Sequence, residues 1–243
     1  MSDAATIVRK SHDRCPRVTV HRVTRIVIAD DHPLYRLALA QAVRGVAPDS
    51  ELVEADGFDD VQGQLTVCPD TDLVLLDLHM PGNHGLMGLA ALRSEFPAVA
   101  VAMISAHDDP RTVRRALAYG AAGYLSKRAA LSELQTGLRA ILACDPYVSS
   151  NLRSAVAAIP ASRDDELLAR RLGSLSPQQF RVLGLVAHGR LNKQIADELG
   201  IQERTVKAHM TAIFEKLGVR NRTQAGVLLR SLDLADPARS VEN

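Results

Sequence analysis

From Arg25 to Ala143 a short apolar run and an amphipathic stretch alternate five times, and few folds accommodate that rhythm. Strands are read at 25–30, 51–55, 73–77, 99–104 and 123–126. Helices are read at 33–43, 58–66, 86–96, 110–120 and 131–143. The run Leu73-Val74-Leu75-Leu76 is continuous rather than alternating and is soon stopped by Pro81-Gly82, the pattern of a strand buried on both faces. Five strand–helix units with short connections predict an α/β domain with a doubly wound parallel sheet.

Ligands of such sheets meet the carboxyl ends of the strands. Asp77 ends one apolar run there, Asp30-Asp31 another, Ser105 a third and Lys127 a fourth. Each has a plainer role open to it. Asp31 could cap the helix entered at Pro33, Ser105 could sit in a turn, and Lys127 could be a solvated charge. Four such groups on one rim point instead to shared chemistry. Neighbouring carboxylates repel unless a proton or cation lies between them. A hard divalent ion such as Mg²⁺ suits two or three carboxylates in an open cleft. One carboxylate could then attack phosphorus as a nucleophile. Lys127 could neutralise phosphoryl oxygens, with Ser105 donating a hydroxyl hydrogen bond.

Charge divides the chain. Residues 25–145 carry ten Lys and Arg against sixteen Asp and Glu, a balance of −6; residues 173–230 carry nine against four, a balance of +5. An acidic half that could hold a cation is joined to a basic half that invites a polyanion. No apolar stretch approaches the roughly 20 residues of a membrane span, and the N-terminus shows no signal-peptide core. Cys15, Cys68 and Cys144 lie in no metal-ligand spacing and suggest reduced thiols. A cytoplasmic protein with no membrane partner is expected.

Residues 1–24 read as a flexible leader. Residues 146–172, with Pro146, Ser149-Ser150 and Pro160, read as a linker with helical pieces at 151–158 and 164–171. Beyond it only helical periods appear, broken at Gly189, Gly200 and Gly218, so a small all-α domain is placed at 173–236, with a tail at 237–243. Asn192–Leu199 and Glu203–Leu217, joined by a tight turn, suit a helix-turn-helix over 192–211. Val206, Met210, Ile213, Phe214 and Leu217 would face inward. Lys193 and Thr205 could reach phosphates, while Lys207, Ala208 and Thr211 could approach base edges. An ordinary helical hairpin with a solvated face fits the spacing equally well.

Residues 25–145 resemble the receiver domain of two-component response regulators through Ile28-Ala29-Asp30-Asp31-His32-Pro33, Leu76-Asp77-Leu78-His79-Met80-Pro81-Gly82, Ile104-Ser105-Ala106 and Gly120-Ala121-Ala122-Gly123-Tyr124-Leu125-Ser126-Lys127. The resemblance implies a five-stranded, flavodoxin-like sheet of order 2-1-3-4-5. It implies that Asp77 accepts a phosphoryl group from a phosphohistidine of a sensor histidine kinase. Asp30, Asp31, Asp77 and the main-chain carbonyl of His79 would hold Mg²⁺, and Ser105 and Lys127 would grip the phosphoryl oxygens. Tyr124 would move with Ser105 as a switch. Arg128 stands where many receivers have Pro.

Residues 173–232 resemble the LuxR-type DNA-binding domain through Leu175-Ser176-Pro177, Val182-Leu183, Gly189, Asn192-Lys193, Ile195-Ala196, Thr205-Val206-Lys207-Ala208-His209 and Lys216-Leu217-Gly218-Val219-Arg220-Asn221-Arg222-Thr223-Gln224-Ala225. That implies a four-helix unit in which Lys207, Ala208 and Thr211 hold base-contacting places. Gln178-Gln179, Leu191 and Gln202 depart from the usual pattern, and losing a Ser or Thr cap at Gln202 should weaken its helix by up to about 1 kcal/mol. The two domains in this order are similar to NarL/FixJ-type response regulators. The implied protein is a phosphorylation-switched transcription factor acting on promoter DNA, in which phosphorylation either frees the recognition helix from the receiver or pairs two chains into a homodimer, and it is not an enzyme beyond its own phosphorylation and dephosphorylation. A DNA-binding regulator whose receiver works without phosphorylation is the alternative. An Asp-nucleophile phosphatase fits less well, because His79 stands where such enzymes carry a second acid.

Overall fold

The computed structural model describes residues 23–83, 85–230 and 232. The leader expected at 1–24 and the tail at 237–243 lie almost wholly outside these residues. Five strands fall where the alternation put them: β1 (Arg25–Ala29), β2 (Glu51–Ala55), β3 (Leu73–Asp77), β4 (Ala100–Ser105) and β5 (Gly123–Ser126). Between and after them run α1 (Pro33–Arg44), α2 (Phe58–Val67), α3 (Leu86–Glu95), α4 (Pro110–Ala118) and α5 (Leu131–Leu142).

A sixth strand, β6 (Tyr147–Val148), pairs in parallel with β5, so the sheet has six strands in the order β2-β1-β3-β4-β5-β6. This corrects the expected five. Two residues are too few to show a period, and this strand exists only because β5 offers an open edge. The linker then continues as α6 (Ser150–Ala158) and α7 (Arg163–Gly173), close to its expected helical pieces. Cys68 is a free thiol.

The sheet sorts its side chains by the two-residue period of a strand. Ile26, Ile28, Leu73, Leu75, Ala102 and Ile104 pack with Leu39 and Val43 of α1 and Leu134 and Leu138 of α5. Val27, Val74, Leu76, Val101, Met103 and Tyr124 face the opposite side, covered by α2, α3 and α4. All five residues of β3 are buried. Truncating Leu75 to Ala at this centre should cost about 2–5 kcal/mol.

The second cluster does not stop at the receiver. It continues through Leu172, Leu175, Phe180 and Leu183 into the helical domain, formed by α8 (Pro177–Ala187), α9 (Asn192–Leu199), α10 (Glu203–Leu217) and α11 (Arg222–Arg230). The Ser94 hydroxyl donates to the Leu175 carbonyl at 2.7 Å, and Arg115 pairs with Asp165 at 3.2 Å. A cleft of about 840 Å³ is lined by residues of α2, α3, α8 and α9, with Phe58, Val67, Leu185 and Leu199 among them.

Candidate functional site

The rim forms as the parallel strands deliver their last residues side by side. Asp77 ends β3, Asp30 follows β1, Ser105 ends β4, and all three are buried. Lys127, one residue past β5, places its Nζ 2.6 Å from Asp30 Oδ2 and 3.0 Å from Asp77 Oδ2. One ligand atom from each of Asp30, Asp31, His32 and Asp77 lies within 4.8 Å of the others. Burial pushes the Asp77 carboxyl above its ordinary range, Lys127 opposes that push, and Asp30 adds to it. A second cation would relieve this crowding, and the three carboxylates offer the oxygen donors a small hard ion requires. The cluster fits a divalent metal ion.

Neighbours hold these groups in place. The His32 main-chain N–H donates to Asp30 Oδ1 at 2.9 Å, and Arg36 donates to the Asp30 carbonyl at 2.6 Å. The Lys127 ammonium lies 5.0 Å from the centre of the Tyr35 ring. Burial, then Asp30 and Asp77, raise the pKa of the Tyr35 hydroxyl well above its usual value, keeping it neutral. Gly82 adopts φ +76°, a left-handed conformation that glycine tolerates, where the chain turns after Pro81.

Ser105 and Tyr124 meet through one loop residue. The His107 main-chain N–H donates to Ser105 Oγ at 2.9 Å, and the Tyr124 hydroxyl donates to the His107 carbonyl at 2.6 Å. Tyr124 is completely buried; burial raises the pKa of its hydroxyl, opposed by a hydrogen bond with Ser105. The rings of His79 and His107 stand edge to face with centroids 6.1 Å apart.

Three contributors escaped sequence reasoning. Asn83 Nδ2 donates to the carbonyls of Asp77 (2.8 Å) and Leu78 (3.2 Å), tying the loop after β3 to the strand. The Ser126 hydroxyl donates to Asp108 Oδ2 at 3.0 Å, and the Ser126 N–H donates to buried Ser149 Oγ at 2.9 Å. Asn83 could have been suspected from its place beside Pro81-Gly82. Ser126 and Ser149 carry no such signal, because their partners are distant in sequence.

In the helical domain α9 is capped by Gly200 in the left-handed region, φ +64°, and α10 begins three residues later at Glu203. Val206, Met210, Ile213 and Leu217 are buried as expected, and Phe214 is half-buried. Lys193, Lys207, Ala208 and Thr211 are exposed, and Thr205 is half-buried. Those four side chains remain exposed although the receiver packs against α7 and α8. Lys207 pairs with Glu203 one turn earlier at 2.8 Å. Gln202 makes no side-chain cap, whereas Gln179 completes a capping box with Ser176 and also accepts from Lys216 at 2.8 Å. Lys216 further donates to the Ser174 carbonyl, and Arg222 to the Arg190 carbonyl. Part of the domain's positive charge thus serves its own fold.

Comparisons with known proteins agree with this architecture. Residues 26–139 match the response regulator receiver domain, and residues 173–229 match the bacterial regulatory proteins of the luxR family. The chain is 38% identical over 204 residues to the glycerol metabolism activator of Pseudomonas putida, covering 83% of this chain and 92% of that protein. It is 34% identical to the nitrate/nitrite response regulator NarL of Escherichia coli K12 over 83% and 93% of the two chains. It is 31% identical to the transcriptional regulatory protein LiaR of Bacillus subtilis over 84% and 95%. A solved structure of two RcsB dimers bound to two parallel DNAs superposes with a TM-score of 0.54 at 22% identity, covering 87% of this chain and all of the RcsB chain, and supports the fold. The chain therefore belongs to the NarL/FixJ-type response regulators, DNA-binding proteins of two-component signalling that join a receiver to a LuxR-type helix-turn-helix domain.

Proposed function

We propose that Asp77 is the phosphoacceptor and that its phosphorylation sets how strongly α10 engages promoter DNA. The observation that carries this reading is the Lys127 ammonium lodged between Asp30 and Asp77 at the carboxyl edge of a parallel sheet. An Asp77 oxygen attacks the phosphorus of a sensor kinase phosphohistidine. The new bond is P–O, the broken bond is P–N, and the imidazole leaves. Lys127 faces the accumulating negative charge, and Ser105 can donate to a phosphoryl oxygen once it releases the loop at His107. Asp30, Asp31, Asp77 and the main-chain carbonyl of His79 are the groups that would hold Mg²⁺. A bound magnesium ion supplies charge neutralisation at the phosphoryl oxygens.

The signal then passes along Tyr124. Its hydroxyl is tied to the His107 carbonyl, so a Ser105 displacement alters the β4–α4 loop and biases a two-state surface. On the effector side, Lys193 and Thr205 contact phosphates and Lys207, Ala208 and Thr211 read bases. Those exposed positions favour pairing of two chains on a two-fold operator over uncovering of a hidden helix. Half-sites about 10 base pairs apart follow from that pairing. The site of action is the cytoplasm; no helix among the described residues is long and apolar enough to cross a membrane. Acetyl phosphate with Mg²⁺ should label the wild-type chain and leave Asp77→Asn unlabelled. Equal labelling of both would overturn the assignment.

A further inference from the structure

The recognition helix is held at the end away from its base-reading positions. α10 stops at Leu217, and Gly218 follows in the left-handed region at φ +69°. The last carbonyls of a helix lack partners within it and carry partial negative charge. Arg171 supplies a partner for one of them from another element: its Nη1 donates to the Leu217 carbonyl at 3.1 Å. The guanidinium lies so close to Gly218 that a Cβ there would meet three of its atoms at 2.8–2.9 Å. Lys216 ties the same end in the reverse direction, its Nζ donating at 2.7 Å to the carbonyl of Ser174, the residue that caps α7. α7 is itself anchored, because Leu172 is buried and Asp165 pairs with Arg115 of the receiver.

Arg171 precedes residue 173, where the match to the luxR family begins, so this tie comes from the linker helix and not from the matched domain. Thr211, Ala208 and Lys207 lie six to ten residues before Leu217, about 9–15 Å along the helix. Hydrogen bonds to base edges depend on direction as well as distance. We infer that Arg171 is a positioning residue for DNA reading: from the far end of α10 it fixes the angle at which Lys207, Ala208 and Thr211 meet the bases. The inference rests on the base-reading assignment proposed above and adds to it a residue that acts without touching DNA.

The test uses the full chain and two fluorescent duplexes, one selected by the wild-type chain from a random-sequence pool and one unselected. Affinities are read by anisotropy at a temperature where circular dichroism shows each variant folded. Arg171→Met keeps the aliphatic stem and removes the donor. It should bind the selected duplex about tenfold more weakly than wild type, the loss expected for one misread base pair, and the unselected duplex equally well. Arg171→Lys, which keeps a cationic donor, should recover most of that loss. Gly218→Ala, whose Cβ displaces the guanidinium, should show the same selective loss, and it decides the matter if Arg171→Met does not fold. Unchanged affinity for the selected duplex, an equal loss on both duplexes, or an Arg171→Lys protein as weak as Arg171→Met would overturn the inference. The double variant Lys207→Ala/Thr211→Ala separates this failure from that of the assignment beneath it. If it binds the selected duplex as wild type does, the base-reading assignment falls and takes this inference with it. If it loses that affinity while Arg171→Met does not, only the role of Arg171 falls.

Discussion

The receiver rim and the recognition helix both depend on charge, yet they hold it in opposite ways. Asp30 and Asp77 are removed from solvent, and Lys127 is their shared counterion. Lys207 stands in water with one partner a turn away. Buried charges are expensive unless paired, so the rim is poised and responds steeply to an added or lost charge. Exposed pairs of the second kind contribute at most about 1 kcal/mol and are weakened by salt. The proposed switch thus sits in a dry, constrained setting and the proposed DNA contacts in a wet, adjustable one.

This contrast can be broken at several points. Lys127→Met should leave two buried carboxylates facing each other and lower stability by about 3 kcal/mol without divalent ions. Urea unfolding would read this, and added Mg²⁺ should restore part of the loss. Tyr124→Phe should lower stability by about 1 kcal/mol by deleting the bond to the His107 carbonyl, while flattening the gain in DNA affinity on phosphorylation. Tyr124→Ala should lose about 3–5 kcal/mol from the vacated core. A Tyr124→Ala protein that folds and responds fully to phosphorylation would sever the proposed link.

Smaller effects are expected on the exposed side. Lys207→Ala should weaken specific DNA binding by about 1–3 kcal/mol, measured by fluorescence anisotropy across a salt series. Rim variants should leave that salt slope unchanged. Gln202→Ser should add up to about 1 kcal/mol to thermal stability by restoring a cap to α10. No gain would mean that the main-chain bonds at this end already suffice.

The parallel sheet and the convergence at its rim were legible because both follow from strand periodicity and from which residues end each strand. Asp30, Asp77, Ser105 and Lys127 come together for that reason. Tyr124 was legible only through family likeness; nothing in its neighbours predicts a bond to the His107 carbonyl. β6 was illegible because its two residues are a strand only beside β5. Gln179 departs from the usual pattern, yet its amide performs the capping task a glutamate would. The basic count of the helical domain misled in another way. Sequence cannot tell a lysine that faces a nucleic acid from Lys216, which grips two oxygens of its own fold.

Stitching Tyr147–Val148 into the sheet, with Ser149 locked beneath Ser126, leaves little slack between the two modules. The free joint shrinks to residues 159–162, between two helices. Four extended residues reach about 14 Å at most, so any swing of the DNA-reading half happens on a very short leash. Two modules so confined meet again at high local concentration after every parting, and separating them for good takes a second body to occupy one of the faces.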